Sequence, residues 1–461
     1  MKFNRFRLIF FLSAIILLSS CLGTNTPVAT SADPTFVSLT FQVNDSIPYL
    51  SSAVFTLVDK TIVNVDSLPY KTRIDSVYPT FTFTSTGGAK FYFPVSGYKY
   101  KKDSAIVTGT DTVDFRQPVR IKNWAADGKT TIEYTVQVNV HHVDPEKYIW
   151  SKVTDNLNSI NATSQKTVIL NNILFYYLND GTTAYLYTSA DGYNWNQKTV
   201  KGLPVNTPLT DMMQFNGKLY LTQDGSNFYT STYGFEWTKN SVTAYTFNSL
   251  LYALNGQLWA VVQSNGNNYF AISKDGNFSD ADITSGTIPA NFPVRDFASV
   301  SFNSSTGLPK VLVLGGYSAT GVPLKNNWSS EDGVYWIDFS TESHTLDTLA
   351  VGASVIAYDS KLFVFGLRKD NGASHYKVSL DEGLSWQTPD TARNILPANY
   401  IPRSYQSAVV FMPLAVKDVA TSTRDQILKS NRIFIVGGKS EISSFSDVWT
   451  GKLNRKNFLR Q

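Results

Sequence analysis

One short pattern constrains this chain more than any other. Ser379-Leu-Asp381-Glu-Gly383-Leu-Ser385-Trp386 reads as a strand that runs into a tight polar turn, closes on a glycine and returns through a tryptophan. The same grammar stands at Ser189-Ala-Asp191-Gly192-Tyr-Asn-Trp195, at Ser231-Thr-Tyr-Gly234-Phe-Glu-Trp237 and at Ser330-Glu-Asp332-Gly333-Val-Tyr-Trp336. A worn copy lies at Ser273-Lys-Asp275-Gly276-Asn-Phe278. The copies are spaced by roughly 40 to 60 residues, the period of radially stacked β-sheets rather than of helical solenoids.

Each repeat reads as four short strands. Two units carry a double glycine after the second strand, Gly315-Gly316 and Gly437-Gly438, each followed by a tryptophan, Trp328 or Trp449. Paired glycines allow backbone conformations and close approaches that a Cβ would block. Third strands are expected near 185, 228, 270, 328, 376 and 449, and fourth strands near 195, 237, 280, 336 and 386. The last unit lacks a fourth strand of its own. Tyr148-Ile-Trp150-Ser-Lys-Val153 resembles Tyr193-Asn-Trp195-Asn-Gln-Lys198 and can supply it. Pairing the two ends removes the free sheet edges an open array would keep. The expectation for 148–461 is a six-bladed β-propeller closed in this way.

The 461 residues exceed one ordinary domain. Aromatic residues make up 14% and charged residues 16%, so apolar surface is ample for burial. Residues 1–20 carry Lys2, Arg5 and Arg7 before an apolar stretch too short to span a bilayer, which predicts an export signal. Leu18-Ser19-Ser20-Cys21 follows, and Cys21 is the sole cysteine. That arrangement resembles the bacterial lipobox, which implies acylation of Cys21 and firm attachment to a membrane. Leu22 stands where known lipoproteins retained at the inner membrane carry aspartate, and that resemblance implies the outer membrane. Residues 21–34 form a polar tether without an acidic tract, so either face of that membrane stays open. Without residues 1–20, 37 of the 40 basic residues remain against 36 acidic ones, and no basic run is present. Nucleic acid is therefore not expected as a partner.

Residues 35–143 alternate apolar and polar residues in Phe36-Val-Ser-Leu-Thr-Phe41, Ala53-Val-Phe-Thr-Leu57, Thr80-Phe-Thr-Phe-Thr84 and around Thr131. An antiparallel, immunoglobulin-like β-sandwich is the expectation. His141 and His142 are strand neighbours whose side chains point to opposite faces, so they cannot chelate a metal together. Residues 144–147 read as a hinge.

Residues 379–386 resemble the Asp-box of sialidase-type propellers, and the double-glycine units resemble kelch propellers. The whole layout of lipobox, β domain and hybrid propeller resembles the Bacteroidetes lipoprotein family called domain of unknown function 6242. That resemblance implies no activity. Sialidase chemistry needs an arginine cluster, yet no arginine lies between Arg120 and Arg295. Galactose-oxidase-like copper chemistry needs a cysteine and histidines, and after position 148 only His344 and His375 remain. No nucleophile elbow, zinc-protease helix or phosphate loop is present. No cofactor or metal is expected. A two-carboxylate glycosidase leaves no sequence signature and stays open.

Binding is the function this pattern favours. The face carrying the blade-to-blade and second-to-third turns has the longest loops, 317–325, 368–372, 396–403 and 439–446. It collects Tyr317, Arg368, Asp370, Tyr400, Arg403 and Glu441, a mixture suited to a glycan or a protein loop. Residues 414–430 form a long charged insertion on the opposite face. The expected protein is a lipid-anchored envelope platform for a glycan or a protein partner. The alternative is a glycan-active hydrolase with carboxylates at the propeller mouth.

Overall fold

The computed structural model describes residues 29–454 except 45–46, 95–103, 143, 145, 224, 281, 285, 342–345, 347, 369–373, 391–392, 395 and 414–430. The signal, Cys21, Asp370 and the 414–430 insertion lie outside the described residues. Two compact units divide at Asp144 and Pro145. No helix among the described residues is long and apolar enough to cross a membrane.

In the first unit, Phe36–Phe41 pairs with Pro79–Phe83 in a two-stranded sheet. A six-stranded sheet runs in the order Phe55–Val58, Thr61–Asn64, Thr131–Gln137, Val119–Trp124, Gly88–Tyr92, Ser104–Ile106. Phe41, Phe91, Phe115, Ile121 and Val136 share one core. The expected antiparallel, immunoglobulin-like sandwich needs correction. Thr131–Gln137 lies parallel to Thr61–Asn64, so the larger sheet is mixed and the second sheet has only two strands. Asn64 helps hold that parallel neighbour. Its side chain donates to the Asn139 carbonyl at 2.9 Å and accepts from the Asn139 N–H at 2.7 Å, extending the pairing beyond the ladder.

The described residues of the second unit form six sheets in chain order. The first four are each built from consecutive strands: Ser164–Leu170 to Asn196–Lys198, Met213–Phe215 to Thr238–Ser241, Thr246–Leu254 to Asp282–Ile283, and Arg295–Asn303 to Ile337–Asp338. The fifth has three strands, Ser354–Tyr358, Lys361–Arg368 and Ser374–Ser379, and a single Val378–Gln387 bridge stands where a fourth would run. In the sixth, Ser407–Phe411, Arg432–Lys439 and Ser444–Leu453 are completed by Tyr148–Thr154, which pairs antiparallel with Ser444–Leu453. Second strands are apolar almost throughout, as in Val311 to Leu314, because both of their faces are covered.

The Asp-turns show why their residues recur. In Ser330–Trp336, the Asp332 carboxylate accepts the N–H groups of Val334 and Tyr335, each at 2.8 Å, and the Ser330 hydroxyl accepts the Gly333 N–H. Gly333 sits at φ +80°, and a Cβ there would lie 2.6 Å from the Tyr252 hydroxyl and 2.7 Å from Trp259 of the third sheet. Trp336 packs with its ring 4.9 Å from Phe292 and 5.7 Å from Tyr252 of the third sheet. The glycine contact repeats around the unit. Gly234 meets Phe175, Gly276 meets Tyr220, Gly383 meets Leu312, and Gly192 of the first sheet meets Phe434 of the sixth.

Hydrogen bonds staple the first strands, or the residues just ahead of them, to their neighbours. Ser164 Oγ accepts the Leu209 N–H (2.7 Å), and Asp211 Oδ2 accepts the Leu250 N–H (2.9 Å). Ser249 Oγ donates to the Val294 carbonyl (2.7 Å), and the Gly352 N–H donates to the Asp296 carbonyl (2.9 Å). Ser354 Oγ accepts the Ala408 N–H (2.9 Å), and Ser407 Oγ accepts the Thr167 N–H of the first sheet (2.8 Å).

Candidate functional site

A cavity of about 550 Å³ touches the first strand of every one of these six sheets. Its ionisable lining residues are Lys166, Asp211, Arg295 and Asp296, two of each sign. A second cavity of about 370 Å³ shares Thr207, Pro208, Thr210 and Asp296 with the first and adds Gln165, Tyr405 and Lys439. Asp296 therefore stands where the two meet.

The strand register explains how Lys166 and Asp211 come to face the cavity. First and second strands of the first, second and fifth sheets join through two-residue turns with both residues at positive φ: Asn171-Asn172, Asn216-Gly217 and Asp359-Ser360. That geometry fixes the pairing without slippage. Counting four back from the last paired residue before the turn gives Lys166, Asp211 and Ser354. Ser407 holds the same position in the sixth sheet, before Phe411, which pairs with Arg432. A small hydroxyl thus suffices in two sheets where the first two carry opposite charges.

Lys166 Nζ donates to the Thr210 carbonyl at 2.7 Å. Burial pulls its ammonium below the ordinary lysine range, with Asp211 opposing. Burial likewise pushes the Asp211 carboxyl up to about 6, against the Thr222 hydroxyl, the Leu250 N–H and Lys166. Asp296 is also raised, first by burial, while the Thr210 hydroxyl, Arg295 and Lys439 favour its charged form. Desolvated carboxyls of this kind collect at functional sites.

The rim carries backbone strain. Asp296 has φ +53° and Tyr405 φ +56°, a region rarely used by residues with a Cβ. Between them Gly352, at φ +67°, donates to the Asp296 carbonyl and accepts the Tyr405 N–H at 2.6 Å. Lys439 Nζ lies 4.2 Å from the centre of the Tyr405 ring. Such conformations persist where surrounding contacts over-determine them, often at binding sites.

The structure disperses the residues expected from sequence. Tyr317 ends its strand at this rim, with the Arg295 guanidinium 5.1 Å from its ring. Glu441 is exposed in the 439–444 turn. Arg368 closes the strand Lys361–Arg368, and its side chain lies outside the described residues. Tyr400 is partly covered by Trp449, at 5.4 Å between rings, and by Arg403, and burial raises its phenol above the ordinary range. Arg403 is 3% exposed, so its assignment to a ligand-facing loop is corrected. It forms a two-point ion pair with Asp447, donates to the Ile401 carbonyl at 2.9 Å and lies over the Phe445 ring. Its charge is used inside the protein. Sequence reasoning missed Lys166, Asp211, Asp296, Tyr405 and Lys439. For Lys166 and Asp211 the available signal was a charged residue four positions ahead of the last paired residue before a two-residue turn.

Strand-built sheets around a shared cavity define a β-propeller domain. The chain belongs to the DUF6242 family: residues 144–461 match its beta propeller domain and residues 28–138 its N-terminal domain. No curated protein matches the sequence. Among solved structures the chain is similar to YjhT, with 11% identity over 64% of this chain and 96% of that one and a TM-score of 0.43. It is also similar to a protein of unknown function from Dyadobacter fermentans, with 10% identity over 67% and 98% and a TM-score of 0.41. A thermostable family-43 glycoside hydrolase gives 11% identity over 63% and 91% and a TM-score of 0.30.

Proposed function

We propose that the second unit is a six-bladed propeller closed through Tyr148–Thr154, and that it is a binding module taking a glycan or a protein loop at the channel mouth. The closure is supported by the pairing of Tyr148–Thr154 with Ser444–Leu453, the Ser407 staple and the contact of Gly192 with Phe434. The binding role rests on the rim where Asp296 and Tyr405 are held at positive φ beside Lys439, at the junction of two cavities. Side chains fixed in advance lose little freedom on binding, which favours recognition. Acylated Cys21 would hold this platform at the outer membrane.

The test is a glycan array and a pull-down from envelope extract with the purified protein and its Lys439→Ala variant. Loss of a wild-type signal in Lys439→Ala supports the mouth. A signal that survives both Lys439→Ala and Tyr405→Gly rejects it.

Hydrolysis of a glycan is the second reading, favoured by one observation. Asp211 and Asp296 line the same cavity, and burial raises both carboxyls. One raised carboxyl could act as acid and the other as base or nucleophile. Against it, Asp211 Oδ2 is already engaged by the Leu250 N–H and the Thr222 hydroxyl. Release of reducing sugar, lost in both Asp211→Asn and Asp296→Asn, would favour this reading over simple binding.

A further inference from the structure

We infer that the channel contains a subsite for a neutral, hydroxyl-rich ligand, with Lys166 and Asp211 as its specificity pair. The inference rests on the binding role proposed for the mouth and assigns chemistry deeper in the same channel.

Its starting point is a break in the repeat. At one position of the first strand, the fifth and sixth sheets carry Ser354 and Ser407, whose hydroxyls staple neighbouring strands. Asp211 performs the same stapling for the Leu250 N–H. A carboxylate is unnecessary for that bond and is costly to bury. Its neighbour in the ring, Lys166, is also charged where a serine would fit. Lys166 also bonds the Thr210 carbonyl and Asp211 the Thr222 hydroxyl, but neither of those bonds requires a formal charge, so two opposite charges lining one cavity depart from what the fifth and sixth sheets use at this position.

The charges also describe the ligand. The cavity wall holds Lys166 and Arg295 against Asp211 and Asp296, so its formal charges cancel. A wall without net charge gives a charged ligand of either sign no net attraction to offset the loss of its hydration. A neutral polyol avoids that penalty. Its hydroxyls can accept from an ammonium and donate to a carboxylate, and charge-assisted bonds of this type are stronger than neutral ones. The volume of about 550 Å³ falls in the range of small-ligand sites.

The test is saturation-transfer NMR on the purified protein with glucose, galactose and xylose, compared with glucuronate and galacturonate. At least one neutral sugar should bind, and its acid counterpart should bind at least about tenfold more weakly, the scale of one lost charged hydrogen bond. Asp211→Ser restores the staple used by Ser354 and Ser407, so it should fold while weakening the neutral sugar by about tenfold or more. Lys166→Met, which keeps the apolar stem, should do the same.

Failure to bind any of the three neutral sugars, equal binding of glucose and glucuronate, or wild-type affinity in Asp211→Ser would each overturn the subsite. Weakening by Lys439→Ala with no effect of Asp211→Ser would remove the subsite and leave the mouth standing. The reverse pattern would keep the subsite and remove the mouth.

Discussion

Replacing Gly192 with alanine tests whether the first and sixth sheets meet in solution. Gly192 has φ +77°, and a Cβ built there would overlap the ring of Phe434 from the sixth sheet. Left-handed backbone costs an alanine about 1–2 kcal/mol. Forcing an extra carbon into a packed contact adds about 1–3 kcal/mol. The expected loss is therefore about 2–5 kcal/mol, a large share of the roughly 5–15 kcal/mol that holds a native domain together. Gly217→Ala is the control. Its φ is +73°, yet nothing lies within 4 Å of a Cβ there, so only the backbone cost of about 1–2 kcal/mol applies. Urea unfolding of both variants gives the contact energy as the difference. Adding Phe434→Ala should make room for the new methyl, so Gly192→Ala on that background should cost only the backbone portion. If Gly192→Ala costs no more than Gly217→Ala, the two sheets do not touch and the closed ring is wrong.

Arg403→Met should lose about 3–5 kcal/mol in the same unfolding assay, because it leaves the Asp447 carboxylate buried without its partner. Arg403→Met combined with Asp447→Leu should recover part of that loss. The Asp211 carboxyl is raised to about 6 from an unfolded value near 4, so the folded protein holds that proton over a window where the unfolded chain has released it. Its contribution therefore makes the fold less stable as pH rises from about 4 to about 6. Subtracting Asp211→Asn from wild-type unfolding curves between pH 4.5 and 6.5, a window chosen to straddle about 6, should expose this slope; parallel curves would refute it. Cys21→Ser should move the protein from the membrane pellet to the soluble fraction and abolish labelling with a fatty-acid analogue.

Much of the fold was legible because packing left residue-type marks. Asp332 accepts two turn N–H groups, Gly333 clears Tyr252 and Trp259, and Trp336 packs against Phe292 and Tyr252, so these residue types recur in most copies, the glycine in all of them, with Tyr233 replacing the aspartate in one copy and Phe278 the tryptophan in another. Tyr148–Thr154 could be matched to the last sheet because it looks like the fourth strand it serves as. Alternation around Thr131, by contrast, reports only which face is buried, and it is the same for a parallel neighbour as for an antiparallel one. Arg403 misled for a related reason. It lies in a loop rich in turn residues, and its carboxylate partner is 44 positions away. Nothing local announces that an arginine will be buried.

The site was least legible where it departs from the repeat by one residue. Asp211 reads as an ordinary polar residue ahead of a strand, and its stapling of Leu250 makes it look structural even with the fold in hand. The proposed second role comes from comparison across sheets: Ser354 and Ser407 make the equivalent bond without a charge. A repeat supplies its own control in this way. Positions where sheets agree report what packing one sheet against the next needs. Lys166 and Asp211, in neighbouring sheets and opposite in charge where the fifth and sixth sheets carry Ser354 and Ser407, are where the proposed subsite is tested.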